Sequence, residues 1–285
     1  EMGRRRGYWW SPEGSRLLVT EVDESDVVVW HILNSSDPSS QPRTLRYPKA
    51  GTNNPYVGLS IYALDGDVVP IDWTQKNFWE YLVNVQWTEE SEIYLTVQNR
   101  NQTSMGILRV DSVTGDVEEI YRWTDEYWVE IISGAPKVIG EHIVTVEDRG
   151  EARALVVDNV QISSSDIQIR SLIHCDNKGV VTAVSENPLE QHIMHFDLDG
   201  KATQLSKGAG VHDAVSNGSL TVIQSRSIDF DGVQTSIYKK NVQIAEVEDR
   251  SENPVITLNA NFHTLGERSL ETVVLFPLNH DNSTP

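Results

Sequence analysis

The sequence predicts an all-β protein built from repeated four-stranded antiparallel sheets. Its apolar runs are short, often alternate with polar residues, and are rich in Val, Ile, Thr, Trp and Tyr, as strands are. Turn residues separate these runs, and groups of four runs start about 40 to 50 residues apart, which is the spacing of repeated sheets. Four-stranded sheets repeated at this spacing are typical of the blades of a β-propeller.

The first blade starts with the segment GYWWSPEGSRLLV at residues 7–19. It contains a short strand ending in two tryptophans, a tight turn and a second apolar strand. Pro12 presets φ at the second turn position, and Gly14 supplies a position with φ > 0. We expect the inner hairpin of a blade here. The next predicted strands cover residues 17–22, 27–33, 44–47, 57–64 and 68–73.

The clearest blade has predicted strands at residues 82–87, 93–99, 105–110 and 117–123. Three further units of the same kind are predicted within residues 138–162, 169–205 and 211–247, with turns at Asp199-Gly200 and Asp231-Gly232. This gives about five blades. We therefore expect a partial propeller over residues 1–252. A hairpin of strands 255–263 and 269–276, with a polar tail, is expected within residues 253–285.

Composition narrows the function classes. The net charge is −19, from 42 acidic and 23 basic side chains, and this disfavours binding to nucleic-acid phosphates. Cys175 is the single cysteine, so an internal disulfide is excluded and a cytoplasmic location is favoured over secretion. No apolar run approaches the roughly 18 residues of a membrane span. We predict no nucleic-acid or membrane partner.

Two residue pairs that contain histidine are candidate chemical sites. His192 and His195 have a spacing seen in metal sites, but residues three apart on a strand point to opposite faces. Neighbours on a strand also face opposite ways, so His174 and Cys175 are predicted to be packed strand residues and not a catalytic dyad.

The Asp-x-Asp-Gly segments at 197–200 and 229–232 resemble the start of a calcium loop but lack its later ligands, which favours turns. We predict no cofactor and no metal.

Three stretches resemble the dipeptidyl peptidase IV family of serine peptidases. They are WWSPEG at residues 9–14, RYPKAGTNNP at residues 46–55, and residues 258–277, which are similar to the family's passage from propeller to hydrolase domain. The ten-residue match at 46–55 is the most specific of the three. The resemblance is strong over residues 1–60 and weaker across the middle of the chain.

The resemblance implies an eight-bladed propeller that caps an α/β-hydrolase domain. In the family a pair of glutamates grips the free amino terminus of the substrate, and Glu1 stands at the position of the second of them. Glu1 is thus the predicted substrate-binding residue. The implied partners are peptide substrates with a free amino terminus and the protein's own C-terminal α/β-hydrolase domain, absent from these residues.

No catalytic residue is predicted within this chain. It contains no Gly-x-Ser-x-Gly nucleophile elbow. In the family the serine, aspartate and histidine all follow the propeller, so we expect them beyond Pro285 and expect the 285 residues alone to lack peptidase activity. The loop that lines the pocket in some members reads EIIS here, at residues 130–133, and contains no arginine.

The resulting hypothesis is a propeller domain that gates access and fixes the substrate amino terminus for removal of dipeptides. Two alternatives remain: a five-bladed glycoside-active propeller, with two carboxylates facing each other across its axis, and a protein-interaction propeller. Five blades of an eight-blade ring would leave open sheet edges, so a homo-oligomer through those edges is expected. The acidic cluster at residues 21–26 is either a solvated loop or a source of negative potential near the entrance.

Overall fold

The computed structural model describes residues 2, 4–75, 78–239, 242–252 and 258–278. Twenty-four strands and no helix occur in these ranges. Five four-stranded antiparallel sheets account for most of the strands, and two further pairs are separate hairpins. The predicted all-β fold with about five propeller-type blades is confirmed. Across the described part of the chain, no helix has the length and apolar character that a membrane span requires.

The chain divides into two compact units, residues 1–129 and 130–285. The first unit contains sheets 1 and 2 and one hairpin. Sheet 1 consists of four strands with an insertion between the second and the third, and sheet 2 is a meander of four consecutive strands. The strands of the two sheets are β1 (Tyr8–Trp10), β2 (Arg16–Asp23), β5 (Tyr56–Ala63), β6 (Val68–Pro70), β7 (Tyr81–Trp87), β8 (Ile93–Gln98), β9 (Ser104–Val110) and β10 (Val117–Thr124).

The opening hairpin forms as predicted. Trp9 pairs with Leu18 across β1 and β2. The turn between these strands is closed by hydrogen bonds from the Ser11 amide to the Arg16 carbonyl and from the Gly14 amide to the Ser11 carbonyl, both 2.9 Å. Gly14 has φ +72°, a left-handed conformation that glycine adopts without steric cost. The Pro-Glu-Gly spacing therefore predicts this turn correctly.

A hairpin is inserted between β2 and β5. It consists of β3 (Val29–Ile32) and β4 (Arg43–Arg46), which pair only with each other. The strands predicted at residues 27–33 and 44–47 are thus present but belong to no blade. Beside them the Trp30 ring packs edge-on against Tyr47, with ring centroids 6.0 Å apart, and the Lys49 ammonium lies 5.3 Å from the Trp30 ring.

The core of the first unit consists of apolar side chains from sheets 1 and 2 together with two tryptophans. Trp73 and Trp79 are 2% and 0% exposed and lie in the segment that connects the two sheets. The Trp79 ring lies against Gly106, where a Cβ would come within 2.7 Å of it. Both tryptophans thus pack in the core that the two sheets share, whereas Trp10 and Trp128 are half-exposed.

The second unit contains sheets 3, 4 and 5, each of four consecutive strands, and a terminal hairpin. The strands of sheets 3 and 4 are β11 (Lys137–Ile139), β12 (His142–Arg149), β13 (Ala152–Val157), β14 (Val160–Gln161), β15 (Gln168–Asp176), β16 (Gly179–Ser185), β17 (His192–Phe196) and β18 (Ala202–Gln204). Sheet 5 and the hairpin comprise β19 (Val211–Ser216), β20 (Leu220–Ser227), β21 (Phe230–Lys239), β22 (Val242–Val247), β23 (Asn259–Leu265) and β24 (Leu270–Phe276).

One predicted turn is wrong. Asp231 and Gly232 lie inside β21, and the turn before that strand is at Ile228 and Asp229. The pairing register shifts between Ser225 and Ser227. The chain therefore reverses direction a few residues before the Asp-Gly dipeptide. The other predicted turn, at Asp199-Gly200, forms and is closed by a 2.9 Å hydrogen bond from the Gly200 amide to the Asp197 carbonyl.

Candidate functional site

The site is built on residues 46–55, the segment RYPKAGTNNP, which leads from β4 back to sheet 1. Its first residue anchors it: Arg46 Nη1 donates to the carbonyl oxygens of Ser25 and Val27, each at 2.8 Å. A turn follows, in which the Thr52 amide donates to the Lys49 carbonyl at 3.0 Å. Gly51 has φ +79° in this turn, which explains a glycine there. The segment is therefore held in a defined shape and is not a loose linker.

Arg100 fastens this segment to sheet 2. Its Nη2 donates to the Thr52 carbonyl at 2.7 Å, and its Nη1 lies 3.4 Å from Glu80 Oε2. The same Glu80 oxygen accepts a hydrogen bond from Asn54 Nδ2 at 3.0 Å. One arginine and one glutamate thus connect two points of the segment to the end of β8 and the start of β7.

A cavity of about 830 Å³ opens between this segment and the buried tryptophans. Trp73 and Trp79 contribute to its wall. Both rings are fixed by hydrogen bonds, from Trp73 Nε1 to the Val57 carbonyl at 3.0 Å and from Trp79 Nε1 to Gln75 Oε1 at 3.2 Å. A volume of this size is in the range of small-molecule pockets, roughly 300–1,000 Å³. The walls combine aromatic rings with carboxylates.

The cavity is acidic. Three carboxylates line it, from Asp23, Asp26 and Glu80, against one guanidinium from Arg100. The Ser25 backbone N–H donates to Asp23 Oδ1 at 2.8 Å, and this hydrogen bond, with the Ser25 side chain and the nearby Arg46, lowers the pKa of Asp23. The carboxylate is thereby kept ionised. An acidic, partly aromatic cavity of this kind can hold an ammonium group.

The acidic cluster at residues 21–26 therefore has more than one environment. Asp23 and Asp26 line the cavity, and Glu24 lines a neighbouring cleft of about 510 Å³ together with Arg4, Arg5 and Arg6. Pro55 lines both spaces, so the cleft and the cavity are adjacent.

Glu1, the residue predicted to bind substrate, lies outside the described residues. The nearest described anchor on the same segment is Arg4. Its Nε donates to the Leu82 carbonyl at 3.1 Å, and its guanidinium lies 5.6 Å from the Trp9 ring. This segment therefore runs beside sheets 1 and 2 before β1 starts.

The histidines of the second unit have separate environments. His192 contacts Glu190 and Ser206, at 2.9 and 3.1 Å, whereas His195 Nδ1 lies 3.5 Å from Asp197. His174 pairs with Asp176, and burial raises the pKa of the neighbouring Cys175 thiol to about 12. A thiol of this kind is not a nucleophile at neutral pH. Among the described residues no group of three or more His, Cys, Asp or Glu side chains could hold a metal ion.

The sequence did not predict the roles of Glu80 and Arg100. They are 20 residues apart, and their contacts with residues 52 and 54 depend on how sheet 2 packs beside sheet 1. The sequence places Arg100 in the Asn-Arg-Asn turn at residues 99–101, directly after a predicted strand. The neighbouring residues do not indicate which side chains or carbonyls it contacts.

Comparisons with known proteins agree with this fold. The chain matches the family model described as "Dipeptidyl peptidase IV (DPP IV) N-terminal region" over residues 1–238. It is 24% identical over 294 residues to a probable dipeptidyl-aminopeptidase B of Emericella nidulans, covering 86% of this chain and 32% of that protein. It is 25% identical over 179 residues to the inactive dipeptidyl peptidase 10 of Rattus norvegicus, covering 58% of this chain and 22% of that protein.

A solved structure has the same fold. The crystal structure of Porphyromonas gingivalis dipeptidyl peptidase 4 superimposes with a TM-score of 0.79 at 18% identity, covering 99% of this chain and 43% of that one. The chain thus spans about a third or less of the two curated relatives and under half of the solved chain. Because the family model covers most of the chain, the 285 residues belong to the dipeptidyl peptidase IV N-terminal region family and form its β-propeller-type fold.

Proposed function

We propose that this chain is the gating and substrate-positioning propeller of a dipeptidyl peptidase-type serine exopeptidase. In the proposal, a C-terminal α/β-hydrolase domain of the longer protein supplies the serine nucleophile. The propeller admits short peptides and fixes their amino terminus. Holding the terminus at a set distance from the nucleophile converts binding energy into removal of dipeptides.

The observation that carries the proposal is the acidic cavity of the first unit. A peptide amino terminus is an ammonium ion, and its binding requires ionised acceptors in a partly desolvated space. Asp23, Asp26 and Glu80 line the cavity, and of the three Glu80 is partly buried whereas Asp23 and Asp26 are exposed. They lie in the same compact unit as the segment that begins with Glu1. The net charge of −19 adds long-range attraction for a cationic terminus.

The exposed apolar residues of the terminal hairpin are consistent with contact to a further domain. Phe262, Val273 and Leu275 on β23 and β24 are 47%, 46% and 64% exposed. Apolar side chains of this size on both strands suit burial against another domain. In the proposal, the hydrolase domain covers them.

The test uses the longer protein that contains these 285 residues. Wild-type protein should cleave a Gly-Pro amide with a free amino terminus and not its N-acetylated form. Glu1→Gln should raise KM for the free-amine substrate with a smaller change in kcat, because it weakens binding of the ammonium. Glu151→Gln, an exposed position in the second unit, is the control. Equal cleavage of both substrates, or an unchanged KM in Glu1→Gln, would contradict the positioning role.

A second candidate function is a protein-interaction propeller without peptidase activity. One relative carries the name inactive dipeptidyl peptidase 10, so resemblance to these proteins does not by itself entail activity. Absence of any cleavage by the longer protein, with its fold intact, would favour this alternative. The glycoside-active alternative has no support from the comparisons. A cytoplasmic location and association through open sheet edges stay predictions.

A further inference from the structure

A second polar cavity lies in the second unit, between sheets 4 and 5, with a volume of about 510 Å³. Two histidines on neighbouring strand positions of sheet 4 line this cavity. His174 on β15 pairs with Val181 on β16, and Val181 pairs with His195 on β17. Residues paired directly across antiparallel strands point to the same face of the sheet. The two imidazoles therefore flank Val181 on the face that sheet 5 covers.

Each imidazole is held by a carboxylate two residues further along the chain. His174 Nε2 lies 3.3 Å from Asp176 Oδ2, and His195 Nδ1 lies 3.5 Å from Asp197 Oδ1. His174 and Asp176 share a face of β15, and Asp197 directly follows the end of β17; all four residues line the cavity. Each carboxylate orients the imidazole that it contacts.

Two glycines pack closely against the His-Asp pairs. A Cβ at Gly179 would come within 2.9 Å of His195 Nε2. A Cβ at Gly218, in the turn between β19 and β20, would come within 2.6 Å of both His174 Nε2 and Asp176 Oδ2. The backbone of sheet 5 thus approaches the His174-Asp176 pair directly, with no side chain between them.

Two lysines line the cavity from different elements. Lys178 lies in the turn between β15 and β16, and Lys239 is the last residue of β21. Among the described residues, neither ammonium forms a salt bridge; Lys178 acts on Asp176 only by longer-range attraction. The Ser219 and Thr221 side chains complete the lining. The lining therefore combines the two ammonium groups with the carboxylates of Asp176 and Asp197, each of which lies beside an imidazole.

We propose that this cavity binds a phosphate group, either as the free ion or as the monoester of a small molecule. Two lysines from different elements, imidazole nitrogens and hydroxyls are the donors that a phosphate dianion accepts from. The volume admits a small phosphorylated molecule. In a chain with a net charge of −19, this cavity is lined by as many lysines as carboxylates. The site is independent of the proposed peptide-binding role.

The test is calorimetric titration of the 285-residue chain with inorganic phosphate and with glucose 6-phosphate. Saturable binding of at least one is expected, and the tighter of the two identifies the free ion or the ester. Lys178→Ala and Lys239→Ala should each weaken binding about tenfold, the scale of one charge-assisted contact. Lys207→Ala, an exposed lysine of the same unit, should leave the affinity unchanged.

Amide spectra locate the ligand. Phosphate should shift the resonances of Gly179 and Gly218, and the double lysine variant should abolish these shifts while retaining the wild-type circular dichroism spectrum. Failure of both ligands to bind would overturn the proposal, as would shifts that persist in the folded double variant. Saturable Zn²⁺ binding at the same amides without any phosphate effect would replace the anion site by a metal site.

Discussion

Arg100 faces Glu80 across the edge of the acidic cavity, with Nη1 and Oε2 3.4 Å apart, while its Nη2 donates to the Thr52 carbonyl. This arginine connects residues 46–55 to sheet 2. Because the ion pair is partly exposed, its Coulomb energy alone is small. Arg100 stabilises the segment mainly through the hydrogen bond that it donates to the Thr52 carbonyl.

Arg100→Ala should therefore destabilise the first unit. The change leaves the Thr52 carbonyl and Glu80 without this donor, and a loss of about 1–3 kcal/mol in the free energy of unfolding is expected. Urea unfolding measures it. The control is Arg109→Ala, which breaks an exposed pair with Glu118 and should cost under about 1 kcal/mol. Equal losses in the two variants would contradict the role of Arg100 as the anchor.

His212 predicts a pH dependence of stability in the second unit. Its ring is 1% exposed and stacks on His192 with centroids 5.3 Å apart. Nε2 donates to the Gly208 carbonyl at 3.1 Å, so Nδ1, 2.8 Å from Ser225 Oγ, accepts from that hydroxyl. Both ring nitrogens are satisfied in the neutral form.

Burial lowers the pKa of His212 below 6.5, and the neighbouring His192 acts in the same direction. The Gly208 hydrogen bond and the carboxylates of Glu190 and Asp213 act in the opposite direction but are weaker together.

Because the folded pKa is lowered, the unfolded chain takes up this proton first as pH falls. The stabilisation is complete above pH 6.5 and decreases as pH falls from there towards the folded pKa, by at most about 1.4 kcal/mol per pH unit for one group. The loss of unfolding free energy between pH 7 and pH 5 should be smaller in His212→Gln than in wild type. His263→Gln, at an exposed hairpin position, should keep the wild-type slope. A wild-type slope in His212→Gln would refute the assignment.

Gly218→Ala tests the close approach of sheet 5 to the His174-Asp176 pair. Gly218 has φ +81°, and an added Cβ would meet two polar atoms at 2.6 Å. Gly150 has φ +65° with nothing within 4 Å of its Cβ position. Both alanine variants therefore carry the left-handed backbone cost, and only the first carries the clash. Gly218→Ala should lose about 1–3 kcal/mol more unfolding free energy than Gly150→Ala. Similar losses of unfolding free energy in the two variants would contradict the close approach of Gly218 to the His174-Asp176 pair.

Cys175 should be unreactive in the folded chain. Burial raises the pKa of its thiol to about 12, so the thiolate that reacts with iodoacetamide is scarce at pH 8. Mass spectrometry should detect almost no alkylation of native protein and complete alkylation in urea at the same pH. Fast alkylation of the native chain would contradict the burial of this side chain.

The blades were predictable because they are local. Four of the five are meanders of consecutive strands, and alternation with turn residues identifies such strands, as for sheet 2. The inserted β3-β4 hairpin was harder, since alternation locates Val29–Ile32 as a strand but does not say which strand it pairs with. The prediction of a turn at Asp231-Gly232 was wrong because β20 and β21 stay paired up to Ser227 and Phe230, so the chain reverses at residues 228 and 229.

The site was less predictable than the fold. The stretch at residues 46–55 could be recognised from its sequence, but its contacts with Arg100 and Glu80 join residues far apart in the chain. Strand periodicity correctly separates His192 from His195. It does not predict that His192 stacks on His212, since that contact depends on how sheets 4 and 5 pack together.

The central claim is that these residues position peptides for a nucleophile that they do not themselves contain. The most direct measurement compares hydrolysis of a Gly-Pro amide by the 285-residue chain and by the longer protein that contains it. The account predicts no turnover by the chain alone and serine-dependent turnover by the longer protein. Turnover by the purified chain, or an inactive longer protein with an intact fold, would contradict it.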